Sequence, residues 1–328
     1  MVSSVRLSLF IGGIFTLLGL ASFLTNKQHQ ADKTIIGILQ FASHPALDTA
    51  TEHFKQAVKK NLGREVFFVE RNAQGSVTQA QLIAQQFHQD QSLDAILAVA
   101  TPAAQACAFT EKKRPIFITA VTDPVAAGLN KTNNNICGTA DAIDAQKTVD
   151  LIKQLAPHAK TVGLLFNQSE SNAVITGRQL AQQLEKSGLT VMQQAIAQES
   201  DLLLVAERLL NGTDVLLTPI DNTVAATITL LAQKAITLKK PLIVSDNMLV
   251  AKGAIAAAGI EYAVAGRKAA DLACAVLQGK DSPKAIGFVQ TPVEAFCINK
   301  NTATKIGLAI DPALASISKI TETTRGDR

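Results

Sequence analysis

From residue 33 onward, wholly apolar runs alternate with segments whose apolar positions recur every three or four residues. In the first half TIIGILQF, EVFFVER, DAILAVA and PIFITAV read as strands. Between them, PALDTATEHFKQAVKKNLG carries Pro45 at a helix start and Gly63 at its end. SVTQAQLIAQQFHQ opens with Ser76 and Gln79 at capping-box spacing, and another helix begins at Thr101. NICGTA is a further short strand. The pattern then restarts with TVGLLFN, a helix through GRQLAQQLEKSG, TVMQQAIA, a helix through LLLVAERLL, DVLLTPI, a helix through VAATITLLAQKAI, and PLIVSD. Strands that are apolar throughout, separated by amphipathic helices, belong to parallel sheets covered on both faces. The fold class is therefore α/β and doubly wound. Residues 37–100 and 163–220 repeat the same order, which gives two Rossmann-like lobes with a cleft between them.

In such sheets ligands bind beyond the carboxyl ends of the strands. Here those ends are polar. The first lobe offers Gln40 and Phe41 followed by His44, then Thr101, then Ala120, Thr122 and Asp123. The second offers Phe166 and Asn167, then Ser169 and Asn172, then Asp221 and Asn222, then Asp246. Many of these residues also suit a purely local role as helix caps, Thr101 before Pro102 and Asp221 or Asn222 before the next helix among them. Phe41 and Phe166 either face an apolar group on a ligand or sit in a core. His44 either touches the ligand or is a loop residue. Helix starts and main-chain N–H groups suit a carboxylate, and Asp123, Asp221 or Asp246 could take an ammonium, so together the corners suit a small zwitterion.

Ahead of the repeat, residues 7–24 form an uncharged apolar run, preceded by Arg6 and followed by TNKQHQADK. Residues 1–31 read as a secretory signal, with small residues at Gly19 and Ala21 for cleavage before Ser22, or as an uncleaved membrane anchor. The four cysteines, Cys107, Cys137, Cys274 and Cys297, have no metal spacing and stand in apolar surroundings. They read as buried thiols, with one disulfide possible in an exported protein.

Composition narrows the function. The chain is 47% hydrophobic and 18% charged, enough for a sizeable core. Aromatic residues make up 4%, with one Tyr and no Trp, which argues against base-stacking or sugar-stacking surfaces. The net charge is +4 over 31 basic and 27 acidic residues, so no polyanionic partner is implied. No G-x-G-x-x-G follows either lobe's first strand, and there is no P-loop, G-x-S-x-G or H-E-x-x-H. The five histidines (His29, His44, His53, His88 and His158) lack metal spacing. No cofactor, metal or catalytic group is expected.

FASHPALD, RNAQGS, ATPAAQA, TAVTDPVAAGL, GLLFNQSESN, PIDNTV and GAIAAAGIEY together resemble the ABC-transporter substrate-binding family that includes tryptophan-binding TrpX-like proteins, over roughly residues 33–310. The resemblance implies the type I periplasmic-binding-protein architecture, with crossovers near residues 142, 254 and 285. Lobe 1 would hold 33–141 plus 254–284, lobe 2 would hold 142–253 plus 285–318, and 319–328 would be a flexible tail. It also implies an aromatic or branched amino acid, or a related small molecule, as ligand. The chain departs from the family in having no Cys before Cys107 to carry a lipid anchor, in Phe166 where others carry Tyr, and in Gln168 where others carry Pro.

The reading is an exported, periplasmic or otherwise extracytoplasmic solute-binding protein. It is a monomer that hands a small organic solute to an ABC permease and performs no covalent chemistry. A membrane-anchored ligand sensor and a periplasmic enzyme are the alternatives. A DNA-binding repressor of this fold would need a helix-turn-helix ahead of the core, which the chain lacks.

Overall fold

The computed structural model describes residues 33–129, 134–291 and 296–322; the expected leader and the chain beyond residue 322 lie outside them. Thirteen strands form among the described residues: β1 Lys33–Gln40, β2 Glu65–Asn72, β3 Ala95–Val99, β4 Ile116–Val121, β5 Ile136–Ala140, β6 Thr161–Asn167, β7 Thr190–Ile196, β8 Val215–Thr218, β9 Leu242–Val244, β10 Ala256–Ala257, β11 Phe288–Gln290, β12 Phe296–Asn299 and β13 Ser318–Thr321. They make two sheets, ordered β11-β5-β4-β3-β1-β2 and β13-β12-β10-β9-β8-β6-β7. Every neighbouring pair is parallel except β10 with β12.

The central strands β3 and β4 are buried from end to end, as their unbroken apolar sequences require. Helix starts follow the local chemistry. Pro45 opens the helix Pro45–Asn61, and the Ser76 side chain accepts the Gln79 N–H at 3.2 Å ahead of Val77–Gln89. Both sheets wind as expected. From β1 to β5 and from β6 to β10 the strands stand in one order, the second outside the first and the third on its other side. Each sheet therefore reverses direction between its first and third strand, and the crevice beyond those ends is the natural ligand site.

Two expected crossovers fall elsewhere. β10 pairs with β9 in the second sheet, so the chain crosses back after Ala257 and not at 254. β11 pairs with β5 in the first sheet, so residues up to Gln290 belong to lobe 1 and the third crossing follows them, not residue 285. β10 has two residues and β11 three, too short to show a period. Residues 319–321, expected in a flexible tail, belong to the strand Ser318–Thr321, which pairs with β12. Gly138 and Gly253 stand near two of the expected crossovers. Gly138 lies within β5, where a Cβ would come 2.1 Å from the Ile118 carbonyl oxygen. Gly253 ends the 3₁₀ turn Asn247–Lys252 inside the second lobe.

All four cysteines are free and buried, so no disulfide forms. Burial pushes the Cys107 and Cys137 thiols up to about 12, which leaves them inert.

The helix Tyr262–Leu277 returns to lobe 1 and packs on Pro45–Asn61 through small residues. The tightest approach is at Gly266, where a Cβ would lie 2.1 Å from the Ala50 carbonyl oxygen. Alanine normally stabilises a helix interior by about 1 kcal/mol relative to glycine. Here Gly266→Ala must push two backbones apart, and overpacking costs typically 1–3 kcal/mol. The expected outcome is a lower melting temperature by calorimetry; an unchanged or raised value would show that the helix pair yields.

Candidate functional site

The two lobes meet over a cavity. Lobe 1 contributes His44, Leu47, Ala120, Asp141 and Tyr262 to its wall, and lobe 2 contributes Asn172, Pro219–Asn222, Ala225, Asp246 and Leu249. All stand at or just beyond strand ends. The lobes touch directly: His44 Nε2 lies 3.1 Å from Asn222 Oδ1, and Ser171 Oγ donates to Gln105 Oε1 at 3.3 Å. Met248, from lobe 2, packs on the core of lobe 1.

Three buried carboxyl groups line this wall. Asp141 follows β5, and its N–H donates to the Val121 carbonyl at 3.0 Å. Its Oδ1 accepts the Thr122 hydroxyl at 2.8 Å and its Oδ2 accepts the Tyr262 hydroxyl at 3.0 Å. Burial raises this carboxyl to about 6, against the pull of those two bonds. Asp246 follows β9 on the opposite lobe, where its Oδ1 accepts the Met248 N–H at 2.8 Å. Burial, and secondarily the charge of Asp141, lift it to about 7. The same two carboxyls, after burial itself, push the Tyr262 phenol well above its usual range. Two acids from opposite lobes thus face one space, and no lysine or arginine is among its lining residues.

Asp221 differs. Its Oδ2 accepts the Asn167 N–H at 2.6 Å and its Oδ1 accepts the Val224 N–H at 2.9 Å, so it caps the helix Asn222–Ala226. Burial and then the neighbouring Glu170 carboxylate hold its carboxyl up. Glu170 organises this corner. It accepts the Asn222 and Thr223 N–H groups at 3.1 and 2.9 Å, the Thr223 hydroxyl at 2.8 Å, and the Asn222 and Asn172 side-chain amides at 2.5 and 3.3 Å.

The wall of lobe 1 is distorted where it meets the cavity. The β4–β5 register shifts between Ile118 and Val121, and Ala120 sits there with φ of 55°. Such bulges re-aim side chains, and a non-glycine residue at positive φ costs about 1–3 kcal/mol. The shift brings Thr122 onto Asp141, and the Thr122 N–H donates to Thr101 Oγ1 at 3.2 Å.

Of the residues expected from the sequence, His44, Ala120, Asn172, Asp221, Asn222 and Asp246 line the cavity. Asn167 and Ser169 line an adjoining groove that shares Asn222. Thr122 and Thr101 stand one step behind the wall, supporting Asp141. The other four lie elsewhere. Phe41 is buried in the lobe 1 core, and Phe166 packs against the lobe 2 core, so neither faces the cavity. Gln40 spends its amide within lobe 1, donating to the Ala42 carbonyl and Asp48 while accepting the Thr51 hydroxyl. Asp123 caps the turn after β4 through the Ala126 N–H at 2.9 Å. Asp141, Tyr262 and Glu170 were missed. Asp141 obeys the strand-end rule applied to the other strands, and Tyr262 is the chain's single tyrosine, beside a crossover.

Among the described residues no group of histidine, cysteine or acidic side chains could hold a metal ion. No helix among them is long and apolar enough to cross a membrane.

A family model described as "ABC transporter substrate binding protein" matches residues 35–320. A tyrosine-binding protein of Clostridioides difficile (strain R20291) is 36% identical over 267 residues, 79% of this chain and 77% of that protein. The solved structure of an ABC domain in complex with L-Trp from Streptococcus pneumonia is 28% identical, with a TM-score of 0.84 over 88% of this chain and all of that one. A ligand-free, open substrate-binding protein with adhesive properties from Clostridium difficile is 32% identical, with a TM-score of 0.66 over 89% of this chain and all of that one. The two-sheet architecture is that of type I periplasmic-binding proteins.

Proposed function

Because this chain belongs to the ABC transporter substrate-binding family, whose members bind small solutes outside the cytoplasm and work with ABC permeases, we propose that it captures an amino acid between its lobes and delivers it to such a permease. The observation that carries the reading is the pair Asp141 and Asp246. They come from opposite lobes, share one cavity wall and have no cationic side chain between them. A ligand ammonium placed between the two carboxylates attracts both, offsets their mutual repulsion and draws the lobes together. The leucines and Ile220 of the same wall receive an apolar side chain. A ligand carboxylate is left to main-chain N–H groups at strand and helix ends. The relatives that bind tyrosine and tryptophan support an aromatic amino acid. Closure is supported by the higher overlap with the L-Trp complex, at 0.84, than with the open, ligand-free relative, at 0.66, at comparable identity.

Binding then selects the closed state through contacts that only both lobes together supply. A ligand at 100 times its dissociation constant adds about 2.7 kcal/mol to native stability. Thermal-shift screening of the twenty amino acids is expected to give at least one hit, and X-ray scattering is expected to show that hit reducing the radius of gyration. If no amino acid stabilises the protein, the ligand class is wrong. Tight binding at constant radius would instead remove the closure step.

A further inference from the structure

Glu170 sets the orientation of two side-chain amides. A carboxylate only accepts hydrogen bonds, so the Asn222 and Asn172 groups directed at it are their NH₂ ends. Asn172 also donates from Nδ2 to the Ile220 carbonyl at 2.9 Å. Both amide oxygens are thereby turned away from Glu170. The oxygen of Asn222 meets His44 Nε2, across the closed cleft, and that contact requires the Nε2–H form of the ring. Burial lowers the His44 pKa, an effect that its bond to Asn222 and the charges of Asp48 and Glu170 oppose. In the neutral ring with hydrogen on Nε2, Nδ1 holds a lone pair.

That nitrogen has no partner and is fully buried, and the same is true of Asn172 Oδ1. Both residues line the cavity. His44 stands at the N-cap position of its helix, yet its side chain makes no capping bond, so local structure does not claim it. A buried polar atom without a partner is costly, so two unmatched acceptors lining one cavity call for a donor from outside. The donor is not the ammonium already placed between Asp141 and Asp246. The charged groups facing His44 are Asp48 and Glu170, whereas Asp141 and Asp246 face each other and Tyr262. The cavity has two separate polar poles.

We propose that His44 Nδ1 and Asn172 Oδ1 form a hydrogen-bond-acceptor subsite that selects amino acids whose side chain ends in a donor, the phenolic O–H of tyrosine or the indole N–H of tryptophan, over those ending in hydrocarbon. The inference rests on the amino-acid reading above and names the group that discriminates within it. A site built to bond a donor rejects the analogue that lacks it because its own acceptors are then left buried and unmatched.

Calorimetry on the exported protein with four probes tests this: L-tyrosine against L-phenylalanine, and L-tryptophan against 1-methyl-L-tryptophan. The donor-bearing member of at least one pair is expected to bind about 10- to 100-fold tighter. In His44→Leu that ratio is expected to fall to near one. Equal affinities within both pairs for the unmodified protein would overturn the subsite and leave the amino-acid reading standing. A ratio that survives in His44→Leu would also overturn it. If none of the four probes binds, the aromatic amino-acid reading fails and the subsite with it. Nitrogen NMR of the imidazole rings in the unmodified protein gives a check that needs no variant. His44 Nδ1 is expected to be unprotonated at neutral pH and to shift on adding the donor-bearing probe but not its analogue. A protonated Nδ1 in the complex with the donor-bearing probe would contradict the tautomer on which the subsite depends.

Discussion

Asp246→Asn weakens binding of the cognate amino acid by about 10- to 150-fold, the range for loss of one charge-assisted contact of about 1.5–3 kcal/mol. Asparagine keeps an acceptor for the Met248 N–H, so the 3₁₀ turn Asn247–Lys252 stays capped and the loss is one of charge. Asp94→Asn is the matched control. Asp94 accepts the Ile35 N–H at 2.8 Å at the amino end of the first sheet, remote from the cavity wall. It is expected to bind like the unmodified protein. Titration calorimetry on both variants decides the matter, and equal affinities would take Asp246 out of the site.

Affinity also falls on acidification, and the ligand-free protein closes. Burial in the closed form raises Asp246 from 3.8 to about 7 and Asp141 from 3.8 to about 6. Opening the cleft gives both carboxyls access to water, which removes the part of the rise that burial between the lobes causes. A carboxyl whose pKa is raised by closure keeps its proton in the closed form after the open form has shed it. The closed, ligand-free state is therefore most favoured in acid, and it is penalised progressively as pH rises from about 4 to about 7. For Asp246 alone the difference of about 3 units corresponds to an upper figure of about 4 kcal/mol. Ammonium binding needs the charged carboxylates, so below about pH 7 the ligand must first displace protons. Scattering without ligand is expected to show a smaller radius at about pH 5 than at about pH 8. Calorimetry in buffers of differing ionisation heat is expected to show proton release at about pH 6. An affinity that is constant or rises over that interval would contradict the carboxyl-pair mechanism.

Much of the fold was legible because each central strand is apolar throughout and each helix carries one apolar face. What escaped was short. Ala256–Ala257 and Phe288–Gln290 show no period, and the placement of both in their sheets depends on partners distant in the chain. At the site, six of the expected residues reach the cavity because the strand-end rule concerns the backbone, which a sequence displays well. Side-chain direction is less visible. Successive residues on an extended chain point to opposite faces, so one position decides between ligand and core, and Phe41 and Phe166 turned inward. Glu170 was invisible for another reason: its role exists only through Asn172, Asn222 and Thr223, which folding brings around it.

The order in which the chain visits its lobes also bears on how it is made. Lobe 1 lacks its helix Tyr262–Leu277 and its strand β11 until the last fifth of the sequence has been synthesised. Lobe 2 lacks β12 and β13 until later still. At roughly 5–20 residues per second, the growing chain spends some tens of seconds with neither core complete. Neither lobe can be finished before β11 has been made, and a truncation anywhere before β11 costs both lobes, not one.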